Sequence, residues 1–179
     1  MTEQKDNILV EGCLRGDQNC KQIIFYRYSE MLYATCMRYL KNKQDAEDAL
    51  HDVFIRAFKY LKSFNANNGS FKNWIFTITV NECLKKIKNS TSYIEISDQY
   101  EITYESDIEI RIEAKKMLAE IIALPHPYST VVNLYLVEGY SHAEIGELLS
   151  IKAASSRSIL SRAKKMLIKK IDIVNVRNS

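Results

Sequence analysis

The segment from Tyr140 to Leu167 constrains the fold more than any other part of the sequence. Ser141 and Glu144 have the S-x-x-E spacing of a capping box, in which side chains satisfy free amides at a helix N-terminus. The apolar pattern breaks at Ser150-Ile151-Lys152 and resumes from Ala153. The segment therefore predicts two helices joined by a three-residue turn. The apolar face of the first helix is predicted to be Ala143, Ile145, Leu148 and Leu149.

The second helix of this pair has an apolar stripe with small and basic residues outside it. The predicted stripe is Leu160, Ala163 and Leu167. Small side chains allow close approach to base edges, and arginines reach phosphates or guanine. The pattern is typical of a helix-turn-helix whose second helix reads the major groove. The residues outside the stripe are Arg157, Ser158, Ser161, Arg162 and Lys165.

Local charge separates this interpretation from a generic pair of short helices with a basic face. Between Ile151 and Lys170 there are seven lysines and arginines and no acidic residue, although the whole chain carries a formal charge of only +3. A block of one sign favours a polyanionic partner over an ordinary solvated face.

Composition indicates long helices. The chain has five glycines and two prolines in 179 residues, which argues against a fold rich in sheets and turns. We expect no bilayer-spanning segment, since no apolar run approaches the necessary length, and no secretory signal at the N-terminus. The four cysteines are scattered singly, so we expect reduced core thiols in a cytoplasmic protein and no zinc site.

The first half of the chain shows helical periodicity with little punctuation. Apolar faces that need one another are expected to pack as one four-helix domain over residues 1–90. The face predicted for the third helix is Ala46, Ala49, Leu50, Val53, Phe54, Ala57 and Phe58. The predicted helices are Asp6–Arg15, Gln18–Leu40, Asn42–Leu61 and Ser70–Lys88.

Residues 91–110 differ from their surroundings in charge, because they contain Asp and Glu but no Lys or Arg. We interpret them as an acidic linker. Residues 111–179 then form a second helical domain, in which Leu124-Pro125-His126-Pro127 separates two helices with neither proline inside one. The predicted fold class is all-α: two small helical domains joined by an acidic linker, the C-terminal one containing the helix-turn-helix.

Several segments resemble bacterial extracytoplasmic-function (ECF) sigma factors. Residues Asp45–Phe58, DAEDALHDVFIRAF, resemble the family's second conserved region, and Phe64–Asn81 resembles its promoter-melting part. Leu124-Pro125, Val137–Ile145 and Ser161–Lys164 are similar to its C-terminal region. The resemblance covers nearly the whole chain outside the linker and the ends. It implies a transcription initiation factor whose N-terminal domain melts the minus-ten element and whose helix-turn-helix reads the minus-thirty-five element.

The resemblance also implies the surface that binds RNA polymerase. The helix carrying Asp45–Phe58 would dock on the clamp helices of the largest catalytic subunit. Polar side chains suit a basic coiled-coil partner, with charge setting encounter rate and register. On pattern alone, the same positions also fit a solvated helix face with paired charges. The implied docking residues are Asp48, His51, Asp52 and Arg56.

In the same way, the loop from Phe64 to Gly69 and the following helix would hold the melted element as a single strand. Capture of an extruded base requires a pocket, and asparagines offer both donors and acceptors to a base edge. Trp74 is assigned to the core rather than to a stacking platform. Thr77 and Ile78 replace the paired aromatics of housekeeping members, which implies weaker melting. The implied strand contacts are Asn65, Asn67, Asn68, Phe71, Lys72, Asn73, Asn81 and Lys85.

For the upstream duplex, the resemblance adds Lys152 and Ser155 to the basic and small residues of the reading helix. Three positions depart from the family pattern. Ile159 stands where a polar or basic residue is usual, Ser156 replaces an aliphatic core residue, and Ser150 replaces the usual turn glycine.

The expected partners are core RNA polymerase, promoter DNA and an anti-sigma factor, with no cofactor and no direct insertion into a membrane. A polymerase-independent helix-turn-helix regulator is the alternative, and it predicts duplex binding by the chain alone. An enzyme is not expected, because the common phosphate-binding, zinc-protease and nucleophile motifs are missing from the sequence.

Overall fold

The computed structural model describes residues 2–89 and 117–177, with side chains described for residues 5–89 and 117–169. Every regular segment in these ranges is helical, which confirms the all-α prediction. The chain divides into two compact units, Met1–Ile94 and Glu95–Ser179. The predicted acidic linker at residues 91–110 lies outside the described residues.

The first unit contains four helices connected by short turns. Asp17 caps the second helix, because its carboxylate accepts from the amides of Asn19 and Cys20. Asn42 caps the third helix by accepting from the amide of Asp45 at 3.0 Å. The helices are α1 Thr2–Leu14, α2 Gln18–Leu40, α3 Lys43–Lys59 and α4 Phe71–Asn89.

Helix α1 begins at Thr2, four residues before its predicted start, so Asp6 lies inside the helix, where its side chain makes a tertiary contact. Asp6 is only 3% exposed. Its carboxylate accepts from the Tyr28 hydroxyl and pairs with the Arg27 guanidinium. The side chain therefore ties α1 to α2 instead of capping a helix, and burial together with this bond raises the pKa of Tyr28.

Helices α2, α3 and α4 pack against one another around the core of the first unit. The predicted apolar face of α3 is confirmed: Ala46, Ala49, Val53, Phe54 and Ala57 are buried, and Leu50 and Phe58 are half-buried. Because one stripe of α3 is buried, the opposite stripe must face solvent.

The second unit is built around a long C-terminal helix. Its described elements are helical residues 117–122, α5 His126–Val132, a π-helical segment Asn133–Val137, α6 His142–Leu149 and the long helix α7 Ala153–Arg177. The predicted stripe of Leu160, Ala163 and Leu167 on α7 is buried, and α5 and α6 both pack against α7.

The expectation that neither proline enters a helix is wrong for Pro127. Pro125 is the N-cap of α5, and Pro127 lies in its first turn. A proline is tolerated there because the amide it lacks would have no partner within the helix. The rule against proline applies to helix interiors, and this helix begins one residue before Pro127.

Candidate nucleic-acid and polymerase interfaces

The outer face of α3 carries the residues assigned to polymerase docking. Asp48, His51 and Asp52 are all exposed. Ile55 follows at helical spacing on the same face and is 66% exposed. The positions that the family resemblance assigns to docking are all polar, so Ile55 is not among them. An apolar side chain among charges can act as the anchor of a protein interface.

Two of the assigned docking residues are already paired within the first unit. Arg56 Nε lies 2.9 Å from Glu82 Oε1 of α4, although it is not aligned to donate a hydrogen bond to that atom. The Glu82 side chain is 5% exposed, so Arg56 offsets a buried charge. Asp52 Oδ2 lies 3.7 Å from Lys86 Nζ, also on α4.

A cavity of about 310 Å³ lies between the turn after α3 and the start of α4. It falls within the size range of ligand pockets, about 300–1,000 Å³. Three asparagines line it together with two aromatic rings, namely Asn65, Asn68, Asn73, Phe64 and Trp74. Amides beside aromatic faces match what an extruded base needs, which is hydrogen bonds at its edge and stacking on its faces.

Local hydrogen bonds restrict what the cavity residues can offer. Asn65 Oδ1 accepts from the amide of Asn67 at 2.9 Å, so Asn65 presents its NH₂ group as a donor. The Thr77 hydroxyl donates to the backbone carbonyl of Asn73 at 2.9 Å, so the Thr77 hydroxyl oxygen can still act as an acceptor. Asn67 is exposed but does not line the cavity.

The aromatic assignments require two corrections. Phe71 is 1% exposed, so it cannot stack on a base, and its assignment to DNA contact is wrong. Trp74 is half-buried: its ring centroid lies 5.7 Å from that of Phe64 and 5.6 Å from that of Phe71, and it also lines the cavity. Trp74 therefore belongs to both the core and the cavity.

The remaining residues assigned to the melted strand are exposed on α4. Lys72 lies in the first turn of the helix. Asn73, Asn81 and Lys85 share one face, with Thr77 completing an i, i+4 series that leads away from the cavity. Their contact with a strand remains a prediction.

In the second unit, the predicted helix pair and its turn are confirmed. Helix α6 ends at Leu149 and α7 starts at Ala153. The Ser141 amide donates to the Glu144 carboxylate at 2.8 Å, and the Glu144 amide donates to the Ser141 hydroxyl at 3.3 Å, as a capping box requires. Hydrogen bonds from the Ser141 hydroxyl and backbone lower the pKa of Glu144.

Two residues set the turn. Ser150 has φ of 56°, in the left-handed region where glycine is favoured. A Cβ added at Gly146 would lie 2.8 Å from the carbonyl oxygen of Ile151. The close approach that needs a glycine is thus at position 146, inside α6, which the apolar pattern alone could not indicate.

The unusual Ser156 has a partner that the sequence did not reveal. It is fully buried, and its hydroxyl lies 2.9 Å from His142 Nδ1. The His142 ring stacks on Tyr135 with a centroid distance of 4.5 Å. A serine is tolerated at this buried position because its hydroxyl has a hydrogen-bond partner in the core.

The face of α7 assigned to DNA, together with the turn before it, carries seven exposed side chains. Ile159, also on α7, is half-buried. Ala143 is exposed, so its assignment to the apolar face of α6 is wrong. The seven exposed residues are Lys152, Ser155, Arg157, Ser158, Ser161, Arg162 and Lys165.

Within the described part of the chain, no group of three or more His, Cys, Asp or Glu residues could hold a metal ion. The helices described there are too short or too polar to cross a membrane.

All four cysteines are free thiols, and Cys13, Cys36 and Cys83 are buried. Burial is the main cause that raises the pKa of Cys13 to about 11.

Comparison with known proteins gives these surfaces a context. The family model for sigma-70 region 2 matches residues 24–92, and the model for sigma-70 region 4 matches residues 115–167. The chain is 28% identical to the ECF RNA polymerase sigma factor SigW of Bacillus subtilis over 88% of this chain and 91% of that protein. It is 26% identical to the ECF RNA polymerase sigma-E factor of Haemophilus influenzae over 96% and 98%.

Solved structures share the fold at low sequence identity. The sigma factor RpoE of Bartonella quintana, in complex with the anti-sigma factor NepR, matches with a TM-score of 0.58 and 18% identity over 85% of this chain and 96% of that chain. CnrH, in complex with the cytosolic domain of CnrY, matches with a TM-score of 0.54 and 20% identity over 94% and 97%.

A helix-turn-helix DNA reader in one unit and a region 2 fold in the other define a sigma-70-type transcription initiation factor. The chain belongs to the ECF sigma factors of this family, which give core RNA polymerase its promoter specificity.

Proposed function

We propose that the two units of this sigma factor act on promoter DNA in different ways. The first unit docks on core polymerase through α3 and holds the melted minus-ten element at the asparagine-lined cavity. The second unit reads the minus-thirty-five duplex with the exposed face of α7. The observation that carries the proposal is that each unit has its own surface fit for nucleic acid, an amide-lined cavity in one and an exposed basic helix in the other.

Docking on polymerase uses the outer face of α3. Asp48 and His51 are exposed and can meet a basic helical partner, and Ile55 supplies an apolar anchor. Asp52 is exposed too, but it would have to exchange its ion pair with Lys86 for one with the partner. Arg56 contributes mainly by holding α3 to α4 through Glu82, since its guanidinium already faces that carboxylate.

Base capture uses the cavity. A base leaving the stack costs a few kcal/mol, which stacking and edge hydrogen bonds must offset. Trp74 provides the stacking face, and Asn65 and Asn68 provide amide groups to the edge. The chain performs no covalent chemistry in this scheme, and it works in the cytoplasm, where it meets polymerase and promoter DNA.

An anti-sigma factor is proposed as the inhibitor of the free protein. Two solved structures with a similar fold contain a bound partner: RpoE was solved with the anti-sigma factor NepR, and CnrH was solved with the cytosolic domain of CnrY. The exposed charges of α3 and the basic face of α7 are the surfaces such an inhibitor would need to cover to block polymerase and DNA.

Pull-down with core polymerase, followed by run-off transcription on genomic fragments, tests the scheme. We expect polymerase-dependent transcripts whose start sites define the promoters. The variant His51→Ala with Asp52→Lys should lose polymerase binding while it stays folded, and Glu30→Lys, an exposed charge reversal on α2, serves as the control. Sequence-specific duplex binding by the chain alone, with no effect on polymerase, would instead indicate a simple regulator.

A further inference from the structure

The turn that connects α3 to the cavity presents an aromatic ring flanked by lysines. Tyr60, the last residue before the turn, is 50% exposed. Lys59 Nζ lies 5.4 Å from the centroid of the Tyr60 ring. Lys62 is exposed as well. We refer to Lys59, Tyr60 and Lys62 as the Tyr60 surface.

This surface is continuous with the cavity. The Tyr60 carbonyl accepts from the Ser63 amide at 2.8 Å and from the Ser63 hydroxyl at 2.7 Å. Ser63 lines the cavity, as does the next residue, Phe64. The residue that carries the exposed ring is thus bonded directly to the rim of the proposed base site.

Charge indicates the kind of partner that this surface fits. Between Asp52 and Glu82 the sequence contains no acidic residue, whereas Arg56, Lys59, Lys62 and Lys72 are basic. An exposed ring among cations, with no nearby acid in the sequence, suits a partner with negative charge and flat faces. Single-stranded nucleic acid has both, and proteins bind it with aromatic rings in a basic setting.

We propose that the Tyr60 surface binds the promoter single strand beside the base held in the cavity. The Tyr60 ring stacks on a neighbouring base, while Lys59 and Lys62 contact backbone phosphates. This inference rests on the proposed function, because it extends the path of the same melted strand. It assigns a binding role to three residues that the family resemblance did not include.

The test uses holoenzyme assembled from core polymerase and the full chain, with pre-melted bubble fragments of a promoter found by run-off transcription. Tyr60→Ala should weaken binding by about five- to twentyfold, as expected for loss of one base-stacking contact. Tyr60→Phe should restore it, because the stacking face remains. Tyr26→Ala is the matched control, since Tyr26 is 69% exposed on α2.

An abasic series identifies the contact. Single-stranded nucleotides are replaced one at a time by abasic sites, and at the stacked position wild type and Tyr60→Ala should bind equally. The change of Lys59 and Lys62 together to Gln should lower the dependence of binding on salt. A Tyr60→Ala effect that is the same at every abasic position would overturn the inference, as would loss of polymerase binding in the absence of DNA.

The same assay separates this inference from the proposed function. If Asn68→Ala weakens bubble binding and Tyr60→Ala does not, the strand occupies the cavity but does not reach the Tyr60 surface. If neither variant changes binding, the cavity is not the base site and the proposed function of the first unit fails as well.

Discussion

The cavity of the first unit and the α7 face of the second unit are both suited to DNA, but they are built on opposite principles. The cavity is concave, is lined by amides and rings, and has several polar atoms already committed to local hydrogen bonds. The α7 face is an exposed helix surface that presents Arg157, Arg162 and Lys165 to solvent. An extruded base is recognised by enclosure and stacking, whereas a duplex is held largely through its phosphates.

The largest effect should come from a bulky side chain at Gly146, where α6 contacts the backbone of the turn that leads into α7. Gly146→Leu would place side-chain atoms against the Ile151 carbonyl, which lies 2.8 Å from a Cβ at this position. We expect the second unit to lose about 1–3 kcal/mol of folding stability, as for other overpacked sites, and duplex binding to fall more than about tenfold. Thermal unfolding of the chain measures the stability, and a gel shift of the upstream element by holoenzyme measures duplex binding.

Polymerase pull-down by the Gly146→Leu chain should persist, because α3 belongs to the other unit. Ala143→Ser, at an exposed position of the same helix, is the control. A fully stable Gly146→Leu protein with normal duplex affinity would show that the turn does not require this approach.

Two neighbouring asparagines test whether the melted strand is bound inside the cavity or only along the surface of the loop. Asn68 lines the cavity and Asn67 does not. Asn68→Ala should reduce promoter opening by about five- to tenfold, the cost of one or two lost hydrogen bonds. Asn67→Ala should have a smaller effect. Permanganate reactivity of unpaired thymines measures opening, and an equal loss in both variants would point to the loop surface instead of the cavity.

Salt dependence should separate the two surfaces directly. Arg162→Ala should weaken upstream binding several-fold and reduce the slope of log affinity against log salt by about 1, if the side chain contacts a phosphate. Asn68→Ala should leave that slope unchanged, because an amide releases no counterion. Titrations of holoenzyme on one promoter at several salt concentrations check both, and equal slopes for the two variants would contradict the division.

Local patterns predicted the second unit better than the first unit's site. The capping box, the turn at residues 150–152 and the stripe of Leu160, Ala163 and Leu167 depend on neighbours in sequence, and all are confirmed. Helix α3 was also located correctly by its buried face. These features follow from helical periodicity, which a single sequence displays.

The wrong predictions concern positions whose structure depends on contacts with residues distant in the sequence. Phe71 looks like a stacking residue in sequence, but its ring is buried against Tyr28 of α2 and Phe64. The partner of Arg56 is a glutamate on another helix, and no spacing rule indicates it. The prediction for Pro127 was wrong because α5 begins at His126, two residues after Leu124. Leu124 is buried, so its packing in the core helps to fix where the helix starts.

Among the residues that the structure describes, each unit has one residue other than glycine at a left-handed turn, so the two turns can be compared at similar φ. Lys41 ends α2 with φ of 59°, and Ser150 ends α6 with φ of 56°. Lys41→Gly and Ser150→Gly should each stabilise the unit that contains the change by about 1 kcal/mol, since the left-handed conformation costs other residues roughly that much. Chemical denaturation measures the gain, and destabilisation by either change would mean that the original side chain holds the turn.

The smallest expected effect concerns the ion pair between α3 and α4 at the surface of the first unit. Asp52 and Lys86 are 3.7 Å apart, with side chains 52% and 28% exposed. A double-mutant cycle with Asp52→Asn and Lys86→Gln should give a coupling of about 0.2–1 kcal/mol that disappears near 1 M salt. The cycle with Arg56→Gln and Glu82→Gln should keep most of its coupling in salt, because Glu82 is buried and poorly screened.

Since Asp52 is also a proposed docking residue, Lys86→Gln should slightly strengthen polymerase binding by freeing that carboxylate. If polymerase affinity instead fell with Lys86→Gln, the lysine itself would belong to the docking surface. Helix α4 would then contribute residues to polymerase binding as well as to DNA binding.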